Sequence, residues 1–299
     1  MSLLDRAVAS AVPRLPRPLV GAVARRYIAG ETLESALDLT ARLNAARIST
    51  TMDVLGENVT RWDETVPTVA LYRRALDELS RRRLDGNVSV KLTHLGLKLD
   101  RHRCAGNVQT IVTAAAERKN FVRIDMEDSS TTSDTLDVYR EMRETHDNVG
   151  VVLQSYLKRS LSDAEDLARM GARVRVCKGI YREPPDIAWQ DRKSINDSFL
   201  AIVRLLLEKG SHVAIATHDP SLVAGSKQIL ASLGGCAGRY EFQMLLGVAE
   251  SLRDQIVGEG HPLRVYVPFG EHWYAYSIRR LRENPRVAGH VFRALLRGS

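Results

Sequence analysis

The stretch of the chain that indicates its fold most clearly is Tyr266-Val-Pro-Phe-Gly-Glu-His-Trp-Tyr-Ala-Tyr-Ser-Ile-Arg-Arg-Leu-Arg-Glu283. It predicts the end of a buried strand, a turn of Pro and Gly, and then a helix. On that helix Tyr276 lies one turn before Arg279 and Arg280, and Glu283 lies one turn after them. The pattern therefore indicates either a clamp for a small amino acid or solvated charge on the surface of a helix.

The same strand, turn and helix recur along the whole chain. Short apolar, β-branched runs alternate with longer amphipathic segments, at a spacing of roughly thirty residues. Eight such units predict an α/β fold, a (β/α)8 barrel rather than an open sheet. The predicted strands are Ser49–Leu55, Asn87–Leu92, Phe121–Met126, Gly150–Gln154, Arg173–Cys177, Val213–Thr217, Tyr240–Met244 and Leu263–Val267.

The domain organisation follows from where the strands begin. Residues 1–46 precede the first strand and predict N-terminal helices packed outside the barrel. Residues 47–299 predict the catalytic barrel, and no Gly-, Pro- or Ser-rich linker divides the chain. We therefore expect one domain, with the N-terminal helices as an addition to it.

Composition narrows the class of protein. The chain has 299 residues, of which 44% are hydrophobic and 26% are charged, as expected for a globular fold with a large core. Its three cysteines are far apart and form no C-x-x-C motif, which argues against a disulfide framework and suits a reducing compartment. The apolar runs are too short for a membrane span, and the N-terminal segment lacks the features of a signal peptide.

The formal charge of +7 comes partly from basic residues near the two ends of the chain. Such an excess attracts either nucleic acid or an anionic membrane surface. The basic residues are dispersed and form no motif of a nucleic-acid-binding module, so we expect no nucleic acid. The basic ends are compatible with peripheral attachment to a membrane.

Polar side chains accumulate at the predicted carboxyl ends of the strands, which is where barrel enzymes place their chemistry. A charged residue in an apolar strand is costly unless it is paired or functional, and a repeat of this feature on seven strands favours function. The residues concerned are Asp53, Glu57, Lys91, Thr93, Asp125, Glu127, Asp128, Gln154, Arg175, Lys178, Thr217, His218, Glu241, Gln243 and Tyr266.

The cations of this set predict an anion-binding site, for a substrate carboxylate or for the phosphates of a cofactor. No G-x-G-x-x-G motif follows a strand, so a Rossmann-type cofactor site is not supported. Lys91 and Lys178 at the ends of barrel strands also favour a Schiff-base aldolase. The spacing of His, Asp and Glu matches no metal signature, and we expect no metal.

Seven motifs at these strand ends resemble the proline dehydrogenase family, in its short monofunctional bacterial form. They are Ser89-Val-Lys-Leu-Thr-His-Leu-Gly96, Ile124-Asp-Met-Glu-Asp128, Val152-Leu-Gln-Ser-Tyr156, Arg175-Val-Cys-Lys-Gly-Ile-Tyr181, Ala216-Thr-His218, Tyr240-Glu-Phe-Gln-Met-Leu-Leu-Gly247 and the segment quoted first. The resemblance implies a distorted (β/α)8 barrel whose last helix lies over the barrel mouth.

The resemblance also implies roles for single residues. It implies that a proline carboxylate binds to Lys91, Arg279 and Arg280, and that the ring is enclosed by Tyr181, Leu245, Tyr266 and Tyr276. It implies that Asp125 orients Lys91 or its neighbours, that Arg175 lies near flavin N5, and that Glu57 is a gate residue able to pair with Arg279. The positions implied to line FAD are Gln154, Lys178, Gly179, Thr217, His218 and Glu283, together with Arg175.

The activity implied is FAD-dependent oxidation of L-proline. A hydride passes from proline C5 to flavin N5, Δ1-pyrroline-5-carboxylate is formed, and a quinone accepts the electrons. The chain is too short for an aldehyde dehydrogenase domain, so a separate pyrroline-5-carboxylate dehydrogenase is expected. The expected location is the bacterial cytoplasm, peripheral on the inner face of the membrane. A folate-reducing flavin barrel is the rival enzyme, and it has no need of the Tyr276, Arg279 and Arg280 clamp.

Overall fold

Eight parallel strands close into a barrel in the order of the sequence, β1 to β8, in a computed structural model that describes residue 21 and residues 26–274 and 276–278. The last strand closes the barrel on the first, with Thr51 opposite Tyr266. The strands are β1 Ser49–Val54, β2 Gly86–Val90, β3 Val122–Ile124, β4 Val149–Gln154, β5 Arg173–Cys177, β6 His212–Ala216, β7 Tyr240–Leu245 and β8 Leu263–Phe269. The predicted (β/α)8 architecture is confirmed.

Helices alternate with the strands, as the amphipathic segments of the sequence predict. Those described are α1 Leu33–Ala45, α2 Thr65–Arg81, α3 Arg101–Glu117, α4 Thr132–Arg143, α5 Ser160–Arg169, α6 Arg192–Glu208, α7 Pro220–Leu233 and α8 Glu250–Gly258. Several begin at an N-cap carboxylate: Asp100 accepts from the amide of Arg103 at 3.0 Å, and Asp191 from that of Ser194 at 2.8 Å. Helix α1 precedes the barrel and packs against β1 and β8.

Strand ends differ from the prediction where a turn replaces the apolar run. The second strand was expected to reach Leu92, but it ends at Val90, and a short 3-10 turn spans Leu92–Leu95. That turn ends at Gly96, whose φ of +97° favours glycine. Lys91 is thus the first residue beyond β2, and its long side chain can reach the centre of the mouth.

The two faces of the barrel wall differ in polarity. Side chains such as Val88, Val90 and Ile124 are fully buried in the apolar core between strands and helices. The alternate residues contact one another across the barrel, as Arg175 on β5 does with Asp125, the first residue after β3. The inside of the barrel therefore carries buried charges instead of an aliphatic core.

Some predictions concern parts of the chain outside the described residues. Arg279, Arg280 and Glu283 lie outside them, as does most of the predicted N-terminal region before α1. Residues 276–278 are helical and follow β8, in agreement with the predicted start of a last helix.

Candidate active site

A cavity of about 380 Å³ lies at the carboxyl ends of the strands and contains almost all the predicted site residues. Its wall is mainly apolar, with a few convergent polar groups, as is usual for a pocket that takes a small molecule. The predicted residues that line it are Lys91, Asp125, Gln154, Arg175, Lys178, Gly179, Tyr181, Thr217, His218, Leu245, Tyr266 and Tyr276. Among the predicted residues that are described, Glu57 is the exception.

Lys91 is held at the base of this cavity by Asp53. Its Nζ lies 2.7 Å from both carboxylate oxygens of Asp53, and 3.3 Å from the hydroxyl oxygen of Tyr266. Asp53 is completely buried on β1, and Lys91 is 8% exposed. The resemblance implied that Asp125 orients Lys91 or its neighbours, and its carboxylate lies 4.0 Å from Lys91 Nζ, farther than that of Asp53. Asp53 is therefore the orienting partner.

Asp125 instead joins three other residues. Its Oδ1 accepts hydrogen bonds from the Ser89 hydroxyl and from the Arg175 guanidinium, both at 2.6 Å. Its Oδ2 accepts one from the Tyr266 hydroxyl at 2.8 Å. The guanidinium of Arg175 also lies over the Tyr266 ring, 5.4 Å from its centre. This carboxylate thus fixes the position of a cation and of an aromatic ring at once.

The charges at the cavity base balance. Lys91 is paired with Asp53, and Arg175 with Asp125. Two cations buried inside the barrel require carboxylates as neighbours, and Asp53 and Asp125 supply them.

Burial and pairing determine the protonation states of Lys91 and Tyr266 at the bottom of the cavity. Burial alone would lower the pKa of Lys91, but the negative charges of Asp53 and Asp125 outweigh it and raise that pKa. Burial raises the pKa of Tyr266 well above its ordinary value, and the nearby carboxylates of Asp125 and Asp53 add to the effect. Lys91 therefore remains an ammonium, and Tyr266 remains a hydrogen-bond donor.

The rest of the cavity wall carries the residues predicted to hold a cofactor. Gln154 donates to the carbonyl oxygen of Glu127 at 2.8 Å, and His218 Nε2 accepts from the amide of Leu245 at 2.8 Å. Lys178 Nζ lies 2.7 Å from Asp219 Oδ2, at a side-chain exposure of 33%. Burial alone would raise the pKa of Asp219, but hydrogen bonds from Lys178 and other neighbours outweigh burial. The pKa of Asp219 therefore lies below its ordinary value.

Gly179 lies in the turn after β5, at the wall of the cavity. Its φ is +103°, and a Cβ at this position would lie 2.2 Å from two atoms of the Tyr156 ring. Only glycine lets the backbone after β5 pass this ring, and the turn directs Lys178 and Tyr181 towards the cavity.

Glu57 lines a second, smaller cavity of about 240 Å³, beside His94 and His272. The two cavities share Lys91 and Tyr276, so these side chains separate them. Burial lowers the pKa of His94 to about 4, and its imidazole is neutral at neutral pH. The predicted pairing of Glu57 with Arg279 stays a prediction, because Arg279 is outside the described residues.

Two functional candidates were present in the sequence but were not assigned a role. Asp53 and Gln243 were both noted as polar residues on strands, and both contact the paired charges at the cavity base. A carboxylate inside an apolar strand was the available signal for Asp53. No group of three or more His, Cys, Asp or Glu side chains suited to a metal ion occurs within the described ranges.

The fold and this site define a (β/α)8-barrel enzyme with a small-molecule pocket at the carboxyl ends of its strands. The model of the family described as proline dehydrogenase matches residues 36–293. The chain is 33% identical over 274 residues to proline dehydrogenase 1 of Bacillus subtilis subsp. natto, which covers 92% of this chain and 91% of that protein. The chain therefore belongs to the proline dehydrogenase family.

Two further relatives agree with this assignment. Proline dehydrogenase of Deinococcus radiodurans is 32% identical over 292 residues, covering 96% of this chain and 94% of that protein. Among solved structures, proline utilization A from Bdellovibrio bacteriovorus inactivated by N-propargylglycine superposes with a TM-score of 0.82 at 25% identity. That match covers 88% of this chain and 32% of the other, so the present chain corresponds to about a third of that protein.

Proposed function

We propose that this enzyme oxidises L-proline to Δ1-pyrroline-5-carboxylate with FAD as cofactor. Membership of the family supports oxidation of proline as the first step of proline catabolism. The observation that carries the finer proposal is the base of the cavity, where Lys91, Tyr266 and Arg175 surround one carboxylate, Asp125. A zwitterion as small as proline requires such a group of charges beside an apolar wall.

The residues of the larger cavity fit a flavin ring system. An apolar wall that includes Val152, Met244 and Leu245 suits the flat faces of an isoalloxazine, and Gln154 and Arg175 offer donors to its polar edge. Lys178, Thr217 and His218 would hold the more polar remainder of FAD. When bound, FAD would supply a two-electron acceptor for the hydride lost from proline C5.

Lys91 would bind the substrate carboxylate through one of its three N–H groups. Two of them are directed to Asp53 at 2.7 Å, and the third meets Tyr266 at 3.3 Å, the longest of the contacts. A carboxylate entering the cavity would take this third donor. Arg279 and Arg280, outside the described residues, would complete the clamp. The ring would be enclosed by Tyr181, Leu245, Tyr266 and Tyr276.

We assign Asp125 an orienting role. Its oxygens already accept three hydrogen bonds, from Ser89, Arg175 and Tyr266, so it holds the groups around the substrate. The proline amine must lose its proton before hydride departure, and among the described groups none is placed as a dedicated base, so we assign that proton to water. The enzyme's main contribution is then orientation of C5 and an electrostatic field that favours reduced flavin.

The raised pKa of Lys91 argues against the Schiff-base aldolase alternative. A nucleophilic lysine must be a neutral amine, and Asp53 holds this one as an ammonium. Lys178 is in turn paired with Asp219 at 2.7 Å.

For the partners, we propose a quinone as electron acceptor and a separate pyrroline-5-carboxylate dehydrogenase as the consumer of the product. We further propose a location in the bacterial cytoplasm, at the inner face of the membrane. No described helix combines the length and the apolar composition that a bilayer span requires.

Purified protein loaded with FAD should reduce a quinone analogue in the presence of L-proline, with Δ1-pyrroline-5-carboxylate identified as product by mass spectrometry. 4-Hydroxyproline and 5-methyltetrahydrofolate are the control substrates, the latter because it is the reduced folate that the rival flavin enzyme would oxidise when a quinone accepts the electrons. Oxidation of the folate instead of proline would replace the proposal by the rival flavin reaction.

A further inference from the structure

We propose that Gln243 is a positioning residue that holds the guanidinium of Arg175, and that Glu241 fixes the direction in which the Gln243 amide points. Neither residue is assigned to substrate or cofactor above. The consequence for catalysis rests on the proposed function, in which Arg175 faces the flavin.

The three residues form a continuous chain of hydrogen bonds inside the barrel. Arg175 Nε donates to Gln243 Oε1 at 2.5 Å, and Gln243 Nε2 donates to Glu241 Oε1 at 2.5 Å. Gln243 is 5% exposed and Arg175 is 6% exposed. Glu241 and Gln243 are alternate residues of β7, so their side chains lie on the same face of the strand.

The chemistry of the end groups determines how the amide is oriented. A guanidinium can only donate and a carboxylate can only accept, so the Gln243 oxygen must face Arg175 and its nitrogen must face Glu241. Reversal of the amide would direct N–H groups at a cation and oxygen at an anion. Gln243 therefore has one arrangement, and Arg175 always meets an acceptor.

This series of hydrogen bonds ends at a second ion pair, between Glu241 and Arg264, near the opposite end of the barrel. Glu241 accepts from Arg264 Nε at 3.1 Å and 3.0 Å through its two oxygens, and Arg264 also donates to the carbonyl oxygen of Thr50 at 2.6 Å. Burial raises the pKa of Glu241, but the charge of Arg264 and the bond from Gln243 lower it overall. Glu241 is thus an ionised carboxylate whose position is fixed by Arg264.

Two anchors on different nitrogens prevent the guanidinium from rotating. Nη1 of Arg175 is held by Asp125 at 2.6 Å, and Nε by Gln243. A planar group fixed at two atoms has one orientation, which leaves its remaining N–H groups aimed in a constant direction. Loss of the Gln243 contact should therefore reduce the rate of hydride transfer more than the affinity for proline.

The test begins with the protein free of cofactor. Nuclear magnetic resonance of ¹⁵N-labelled wild type should show a slowly exchanging Arg175 Nε–H signal, identified by its absence in Arg175→Lys. Gln243→Met, which keeps the volume but removes the acceptor, should shift that signal and speed its exchange. Gln255→Met is the matched control, since Gln255 also donates to a glutamate, Glu259, at 2.8 Å but on the surface.

The FAD-loaded enzyme supplies the second readout. We expect kcat of Gln243→Met to fall about tenfold or more, as a displaced catalytic group does, with a small change in KM. The double variant Glu241→Gln/Gln243→Glu still presents an acceptor to Arg175 and to Arg264, with the hydrogen bond between the two exchanged side chains reversed, and should recover most of kcat and the Arg175 signal.

The inference is wrong if wild type shows no protected Arg175 Nε–H, or if Gln243→Met matches Gln255→Met in both the signal and kcat. A wild type that binds no FAD or leaves proline unchanged would instead overturn the proposed function, and the cofactor-free signal would still decide the inference. The signal of wild type also decides it where Gln243→Met does not fold.

Discussion

The ammonium of Lys91 lies 2.7 Å from both carboxylate oxygens of Asp53, in a pair that is nearly inaccessible to solvent. A buried charge without its partner is far less stable than the pair, and the partner also fixes the direction of the ammonium. Asp53 thus determines both the stability of the barrel mouth and the presentation of Lys91 to a ligand.

Asp53→Asn should lower the free energy of unfolding by about 3 kcal/mol, because it leaves the buried Lys91 ammonium with only Asp125, which is 4.0 Å away and already paired with Arg175. Denaturant unfolding measures this change. The control is Asp197→Asn, which removes an ion pair of similar length on the surface. Asp197 lies 2.6 Å from Lys193 Nζ, and the side chains of Lys193 and Asp197 are 86% and 60% exposed. We expect less than about 1 kcal/mol there. Equal losses of unfolding free energy in the two variants would show that the buried pair stabilises the fold no more than the surface pair does.

Tyr266→Ser should shift the ratio of kcat/KM from L-proline towards 4-hydroxyproline, because it opens space and adds a small hydroxyl at the ring-binding wall. Tyr266→Phe keeps the ring and removes the donor to Asp125 Oδ2, so it should lower activity without changing that ratio. Steady-state kinetics with both substrates measures the two effects. An unchanged ratio in Tyr266→Ser would remove this residue from specificity.

Gly179→Ala should weaken FAD binding by about tenfold or more, because its Cβ would overlap the Tyr156 ring and displace the turn that carries Lys178 and Tyr181. Gly171→Ala is the matched control: its φ is also positive, +61°, but nothing lies within 4 Å of the added atom. Fluorescence titration with FAD compares the two. Normal binding by Gly179→Ala would mean that the turn does not shape the cofactor site.

Acidification should destabilise the protein through His94. In the unfolded chain the imidazole takes up a proton near its ordinary pKa of 6.5, whereas burial delays this in the fold until about pH 4. Between these values the unfolded chain binds more protons, so stability is complete above pH 6.5 and falls as the pH drops towards 4.

His94→Gln should therefore show a smaller loss of Tm between neutral pH and pH 5 than wild type. His102→Gln, at an exposed position of α3, should leave the slope unchanged. A slope in His94→Gln equal to that of wild type would assign the acid sensitivity to other groups, of which His212, with its pKa also lowered to about 4, is the next to test.

The barrel was predictable because its signal is repeated. Eight apolar runs each followed by an amphipathic segment define the order of the strands, whichever single boundary is wrong. The end of β2 was misplaced because Leu92 continues the apolar run, while the 3-10 turn that removes it from the strand depends on tertiary contacts. The pattern of apolar and polar residues along the sequence carries no information about such contacts.

The site was predictable as a set of residues but not as a set of pairs. Carboxyl ends of barrel strands meet in space, so Lys91, Asp125, Arg175 and Tyr266 could be placed together from their positions alone. Which carboxylate pairs with which cation depends on side-chain reach across the barrel. That is why Asp53 was left without a role and why the pairing of Asp125 with Arg175 was not predicted.

Anaerobic titration with L-proline shows whether this barrel passes electrons from proline to a bound flavin. FAD-loaded protein is mixed with L-proline without any other acceptor, and the visible absorbance of the flavin is recorded. The absorbance should be lost with proline and return on addition of a quinone analogue. A flavin that stays oxidised with excess L-proline, in protein that is folded and fully loaded, would contradict the account.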